Sequence, residues 1–477
     1  MAKDGRDLAV SHASPQAIAA LDFLREQWLA YGNRLAEFLP AVDRDPDCPM
    51  IVMMTALLHL SMENRQGYAD ARPFLDRARA MSSRMNEREM LWLEAIDGQW
   101  RDDPEAVGRA HEALAERHPR DILAVKLGQK HYFYVGDFEA MLRLADRTLE
   151  ANKDVSLIHG MRAFALEQCH RLEEAEEAGR LAASLSRNDP WAHHAVAHVM
   201  ETQGRLDEGI DWMQRQSPTW DQCNSFMYTH NWWHLALFLI DADRSSEALA
   251  LFDRRVWGVW KEFSQDQVNA VALLARLELR GVDVGDRWQD VAAYLEPRID
   301  EHVSPFLDLH YILGLARAGR RTAVTEMLAS LEAYAQNVPA FSARAWQEAA
   351  VPAAHGVAAH AAGDWPAAVN ALGAALPNLQ AIGGSHAQRD LFEQIHLDAL
   401  IRAEWNDKAL ARLRQRDAAR PAIPAIKRGL AELHTRLGQN EAAAQYRASA
   451  LALVRTGTAA QEPGARKECP WQQTRLR

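Results

Sequence analysis

The stretch HGMRAFALEQCHRLEEAEEAGRLAASLSRNDP, residues 159–190, lies over HHAVAHVMETQGRLDEGIDWM, residues 193–213, when the chain is shifted by 34 residues. Ala163 falls on Ala197, Glu167 on Glu201, His170 on Gly204, Leu172 on Leu206 and Ala175 on Gly209. Apolar residues within each copy recur at three and four positions, and alternating β-branched runs bounded by hairpin turns are nearly absent, so each copy reads as helices. A short unit that repeats cannot bury its own apolar face and must stack on its neighbours. The coinciding small residues mark where two antiparallel helices approach closely.

Working outward, the turn between the two helices recurs at Gly136, His170, Gly204, Asp243, Gly281, Gly319, Gly363, Glu404 and Gly438, at spacings of 34, 34, 39, 38, 38, 44, 41 and 34. Segments around Gln66 and Arg101 read as two further hairpins, and Ser14-Pro15 is a good cap and first-turn pair for an opening helix. A period of 34 is that of the tetratricopeptide repeat. The expected fold is therefore all-α, a right-handed α-solenoid of about 10 or 11 such hairpins curled around a concave groove. Residues 1–455 read as one solenoid, with N-terminal repeats over 14–135, central repeats over 136–320 and C-terminal repeats over 321–455, and residues 456–477 read as a flexible tail. Spacings above the basic period imply lengthened connections. One of these, AIGGSHAQRD from Ala381, carries paired glycines and reads as a loop able to reach over the groove.

With 54 Lys and Arg against 65 Asp and Glu among 477 residues, the net charge of −11 argues against a nucleic-acid partner. The opening residues lack a secretory signal and no run is long and apolar enough for a membrane span, so the chain reads as cytoplasmic with no membrane partner. Cys48, Cys169, Cys223 and Cys469 never form CxxC, which indicates neither a thiolate zinc site nor a disulfide framework.

HAVAHVMETQGRLDEGIDWM from His194, YTHNWWHLALFLIDADRSSEALALFD from Tyr228, GGSHAQRDLFEQ from Gly383 and FLDLHYILGLARAGR from Phe306 together resemble the tetratricopeptide repeat protein 38 family. The resemblance covers most of the chain. It implies the helical-repeat fold and, because the family carries no agreed activity, implies no reaction. By the same resemblance to tetratricopeptide repeats, the inward positions of each first helix precede the turn by 13, 10, 6 and 3 residues, which from Gly204 gives Trp191, His194, His198 and Glu201. From Asp243 the count gives His230, Trp233, Leu237 and Ile240, with His234 one step round the same helix.

His194 and His198 are i, i+4, as are His230 and His234, so each pair shares one face of its helix, and helices of adjacent repeats should face one pocket. His310 precedes its turn by nine residues, as His234 does, and Asp308 stands two residues before it. His194, His198, Glu201, His230, His234 and His310 are the candidate acid/base groups, with Trp191, Trp233, Asp308, His386 and Arg389 as candidate ligand contacts. Paired imidazoles with a nearby carboxylate have the makings of a metal site. The run is HAVAH, however, without the glutamate of HExxH, and the expectation is no stoichiometric metal and no cofactor. The plain alternative is that these histidines hydrogen-bond across the groove to Glu201, indoles or backbone.

No serine or cysteine sits in a nucleophile elbow, and Gly383-Gly384-Ser385 lacks the features of a phosphate loop. The favoured function is binding of a small, partly apolar molecule or a protein segment in a His/Trp/Glu-lined concave pocket. The alternative is an enzyme of hydrolase or lyase type using His/Glu acid/base chemistry there, with or without a metal, and the oligomeric state is open.

Overall fold

A computed structural model describes residues 2–459, with side chains through residue 454. Among the described residues eleven helical hairpins follow one another, and each turns through a left-handed residue: Glu63, Asp102, Gly136, His170, Gly204, Asp243, Gly281, Gly319, Gly363, Glu404 and Gly438, with φ between 52° and 79°. All nine turn positions expected from the period are in this set, five of the eleven turns being made by residues other than glycine. The molecule is an all-α solenoid of paired helices.

The Pro190–Gln203 helix shows why the sequence starts and stops where it does. Asp189 accepts hydrogen bonds from the Trp191 and Ala192 amides, Pro190 supplies a preset φ at the first helical position, and Gly204 ends the helix at φ 69°. Ala163 and Ala197 are fully buried at equivalent places between helices. A Cβ added to Gly209 would lie 2.3 Å from the Phe238 ring, so only glycine lets those two helices approach this closely.

The chain bends back on itself until distant repeats touch. Ser264 Oγ donates to the Glu63 carbonyl at 2.9 Å, Gln380 Nε2 to the Gly136 carbonyl at 2.8 Å, and the Asn224 amide to the Tyr31 carbonyl at 2.6 Å. These contacts join segments roughly 200 residues apart and enclose the concave side.

Four features differ from the sequence reading. The N-terminus pairs Ala2–Lys3 with Ala9–Val10 in a minimal antiparallel hairpin, too short for periodicity to show. The expected AIGGSHAQRD loop is mostly ordered helix. Gly383 and Gly384 make the bend, Ser385 caps the His386–Arg402 helix in a box with Gln388, and Leu376–Ile382 before them is a 3-10 segment. The extra residues of the longer repeats are taken up in the same way, as in Ser217–Gln222 and the π-helical Arg344–Ala350. The last helix runs from Asn440 to Ala459, past the expected start of the tail, and residues 460–477 lie outside the described residues. Among the described residues no helix is long and apolar enough to cross a membrane, and Cys48, Cys169 and Cys223 are free thiols.

Candidate functional site

The Pro190–Gln203 and Ser225–Asp241 helices are the first helices of successive hairpins, and their inward faces meet. The i, i+4 spacing on each brings His194, His198, His230 and His234 together as a buried tetrad whose nearest ring nitrogens all lie within 4.8 Å of one another. His194 Nε2 is 3.1 Å from His198 Nε2 and 3.2 Å from His230 Nε2.

Behind three of the rings stands an oxygen facing Nδ1. His230 Nδ1 is 2.9 Å from Asn269 Oδ1, His234 Nδ1 is 3.2 Å from Glu201 Oε2, and His198 Nδ1 is 3.5 Å from Glu167 Oε2. Asn269 is itself oriented, because its Nδ2 donates to Thr229 Oγ1 and leaves its oxygen for His230. The hydrogen bonds from His230 to Asn269 and from His234 to Glu201 hold the Nδ1–H tautomer of these two rings and turn their Nε2 lone pairs inward, whereas His198 Nδ1 is near Glu167 without a hydrogen bond.

Burial drives all four imidazoles below their ordinary value, His198 to about 3 and His230 to about 4, so they are neutral. Burial alone would raise Glu167, yet His386 and His198 beside it hold it down to about 2. Glu201 goes the other way, pushed by burial up to about 7.

Two spaces lie near the tetrad. His194 and His230 line a cavity of about 190 Å³ with Trp191, Phe164, Tyr31 and Phe226. Glu201, Thr202 and His386 line a cleft of about 450 Å³ edged by Arg412, Arg416 and Arg420. The cavity also holds Lys126, which is buried with its Nζ 3.8 Å from the Trp191 ring centre and 4.6 Å from that of Tyr31. Among the described residues no carboxylate is in ion-pair contact with this amine; burial lowers it to about 7, against the opposing charge of buried Asp189 at longer range.

The other residues expected from sequence fall in different places. His386 joins the site through Glu167, at 2.6 Å, and Thr202. Arg389 bonds the carbonyls of Gly383 and Gly384 and covers the Phe138 ring, holding the bend that closes the cavity. Trp233 is buried beneath the tetrad, its ring stacked on His230 at 5.2 Å, and does not face either space. His310 is sealed between Phe306 and Phe392 with Nδ1 donating to the Phe306 carbonyl at 2.8 Å. Asp308 pairs with His302 at 2.6 Å, away from the tetrad.

Glu167, Lys126, Phe164 and Asn269 were not expected. The signal for the first three was present. Counting back from Gly136 by 10 gives Lys126, and counting back from His170 by 6 and 3 gives Phe164 and Glu167, the positions occupied in the next repeat by His198 and Glu201. Asn269 has no such signal, since it reaches His230 from the following repeat.

No protein-family model matches the sequence. Among solved structures, the yeast Tom70 crystal structure aligns with 71% of this chain and 87% of that chain, at 11% identity and a TM-score of 0.37. A human IFIT1 dimer with PPP-AAAA aligns with 84% of this chain and 90% of that chain, at 12% identity and a TM-score of 0.40. At these scores the likeness carries no argument about ligand or activity.

Proposed function

We propose that this protein binds a small, partly apolar molecule with an anionic group in the inner cavity of its solenoid, the apolar part against Trp191, Phe164 and Tyr31 and the anion at Lys126. A member of the tetratricopeptide repeat protein 38 family, folded as one solenoid over residues 1–455 in the cytoplasm, is the setting this reading takes. The observation that carries it is the buried amine. A charge removed from water with no carboxylate in direct contact is costly, and an incoming anion adds the contact that Asp189, acting only at longer range, does not make. The aromatic walls suit an apolar body. Acid/base turnover by the histidines is the weaker reading, because imidazoles driven to about 3 or 4 are poor bases near neutrality.

The test uses 8-anilinonaphthalene-1-sulfonate, an aromatic anion, in a fluorescence titration, followed by displacement with arylalkyl carboxylates and their matching alcohols. Saturable binding is expected, with carboxylates displacing the dye better than alcohols and an RNA oligonucleotide not displacing it. Lys126→Met should weaken dye binding at least tenfold, equivalent to about 1.4 kcal/mol. Absence of saturable binding, or binding untouched by Lys126→Met and Trp191→Leu, overturns the reading.

A further inference from the structure

We propose that His194, His198, His230 and His234 bind one divalent first-row transition ion of the zinc type through their inward nitrogens, with Glu167, Glu201 and Asn269 as positioning residues behind the rings. This goes beyond ligand binding in the cavity and does not depend on what occupies it.

Hydrogen-bond accounting leads there first. A neutral imidazole has one N–H and one lone pair. With the Nδ1 hydrogens of His230 and His234 directed at Asn269 and Glu201, their two Nε2 lone pairs point into the space beside His194, and the His198 ring next to them has no hydrogen-bond acceptor at its Nδ1. His194 Nε2 can offer them at most one hydrogen, although both His198 Nε2 and His230 Nε2 lie within 3.2 Å of it. His234 Nε2 is fully buried with no hydrogen-bond partner. Lone pairs outnumber protons, and a cation at their centre resolves the excess.

Geometry agrees. Bonds of about 2.0–2.1 Å in a tetrahedral zinc site place neighbouring nitrogens about 3.3–3.4 Å apart, close to the separations of His194 Nε2 from His198 Nε2 and His230 Nε2, within a tetrad whose nitrogens span at most 4.8 Å. Two acidic side chains, Glu167 and Glu201, stand in the next layer behind His198 and His234. Carboxylates or amides behind ligating histidines are the usual means of fixing the ring and its tautomer. An all-imidazole donor set without thiolates or hard oxygens selects zinc, cobalt, nickel or copper over calcium and magnesium. The expectation of no metal came from the missing HExxH glutamate. That motif describes one helix, whereas here two successive repeats each contribute a pair.

The full-length protein is purified without chelator for elemental analysis, then stripped with dipicolinate and reloaded with Zn2+ or Co2+ alone. We expect one ion per chain, a cobalt ligand-field absorption of tetrahedral intensity, and X-ray absorption showing nitrogen scatterers. His198→Gln and His234→Gln should lower zinc affinity at least 100-fold, and Glu201→Gln roughly 10- to 100-fold. His355→Gln, at an exposed histidine, should leave affinity unchanged. The glutamine variants keep side-chain volume, and circular dichroism confirms that they fold. A folded, stripped protein that takes up no stoichiometric cobalt or zinc overturns the proposal, as does stoichiometric metal untouched by His198→Gln and His234→Gln. Dye titration of the same samples reads the cavity separately, so failure of one proposal is distinguishable from failure of the other.

Discussion

Replacing single glycines by alanine should distinguish ordinary turns from the seam where the solenoid closes. Gly281 is left-handed, φ 77°, with nothing within 4 Å of an added Cβ, so Gly281→Ala meets only the backbone penalty. That penalty is about 1–2 kcal/mol, partly offset by about 0.4–1 kcal/mol from a stiffer unfolded chain, leaving roughly 1 kcal/mol. Gly136 and Gly383 have similar φ but face main chain across the seam. Their added Cβ atoms would stand 2.1 Å from the Gln380 carbonyl oxygen and 2.5 Å from that of Tyr134. Gly383 also sits at φ 78°, ψ −160°, a region almost confined to glycine. Backbone on both sides cannot turn aside as a side chain can. Each substitution should therefore add overpacking of about 1–3 kcal/mol, and Gly136→Ala should also forfeit the Gln380 hydrogen bond, about 1 kcal/mol. We expect about 3–5 kcal/mol for Gly136→Ala and a similar loss for Gly383→Ala. Urea denaturation of all three variants measures this, with hydrogen exchange over residues 376–385 reporting where the loss occurs. If Gly136→Ala and Gly383→Ala fall within about 0.5 kcal/mol of Gly281→Ala, the seam does not contribute as described.

Two other outcomes are expected. Burial lowers His111 to about 3 and His310 to about 4, whereas the unfolded chain takes up protons near the ordinary value of about 6.5. Their contribution is therefore complete above about pH 6.5 and is lost as pH falls toward 4; at pH 5 each should have cost about 2 kcal/mol, and a urea midpoint unchanged between pH 7 and 5 would contradict this. Ala163→Leu and Ala197→Leu, at fully buried contacts between helices, should each cost about 1–3 kcal/mol; unchanged thermal melting would mean that the repeat register is misplaced.

The period made the turns legible even where no glycine marks them, as at His170, Asp243 and Glu404, because a hairpin of fixed length must reverse at a fixed place. It also made the tetrad legible, since a helical face at known register is geometry carried by sequence spacing. Extending that register upstream would have reached Lys126 and Glu167. Trp233 and His310 misled because first helices are enclosed on nearly all sides, so an inward position need not open onto a cavity. The seam at Gly136 and Gln380 was not legible at all. It depends on small rotations accumulated over seven repeats, and no local pattern records their sum.

That closure alters how the chain comes apart. An open array of repeats loses its ends first and unravels unit by unit, each interface failing on its own. Here the Glu63 turn is tied to Ser264 and Gln265, and Gly136 to Gln380, so no stretch between these ties can peel away without breaking contacts far along the chain. Loop-closure entropy makes such long-range ties slow to form, and deletion of a terminal hairpin would remove a partner from the middle of the molecule. Unfolding should then be more nearly all-or-none than repeat architecture ordinarily permits.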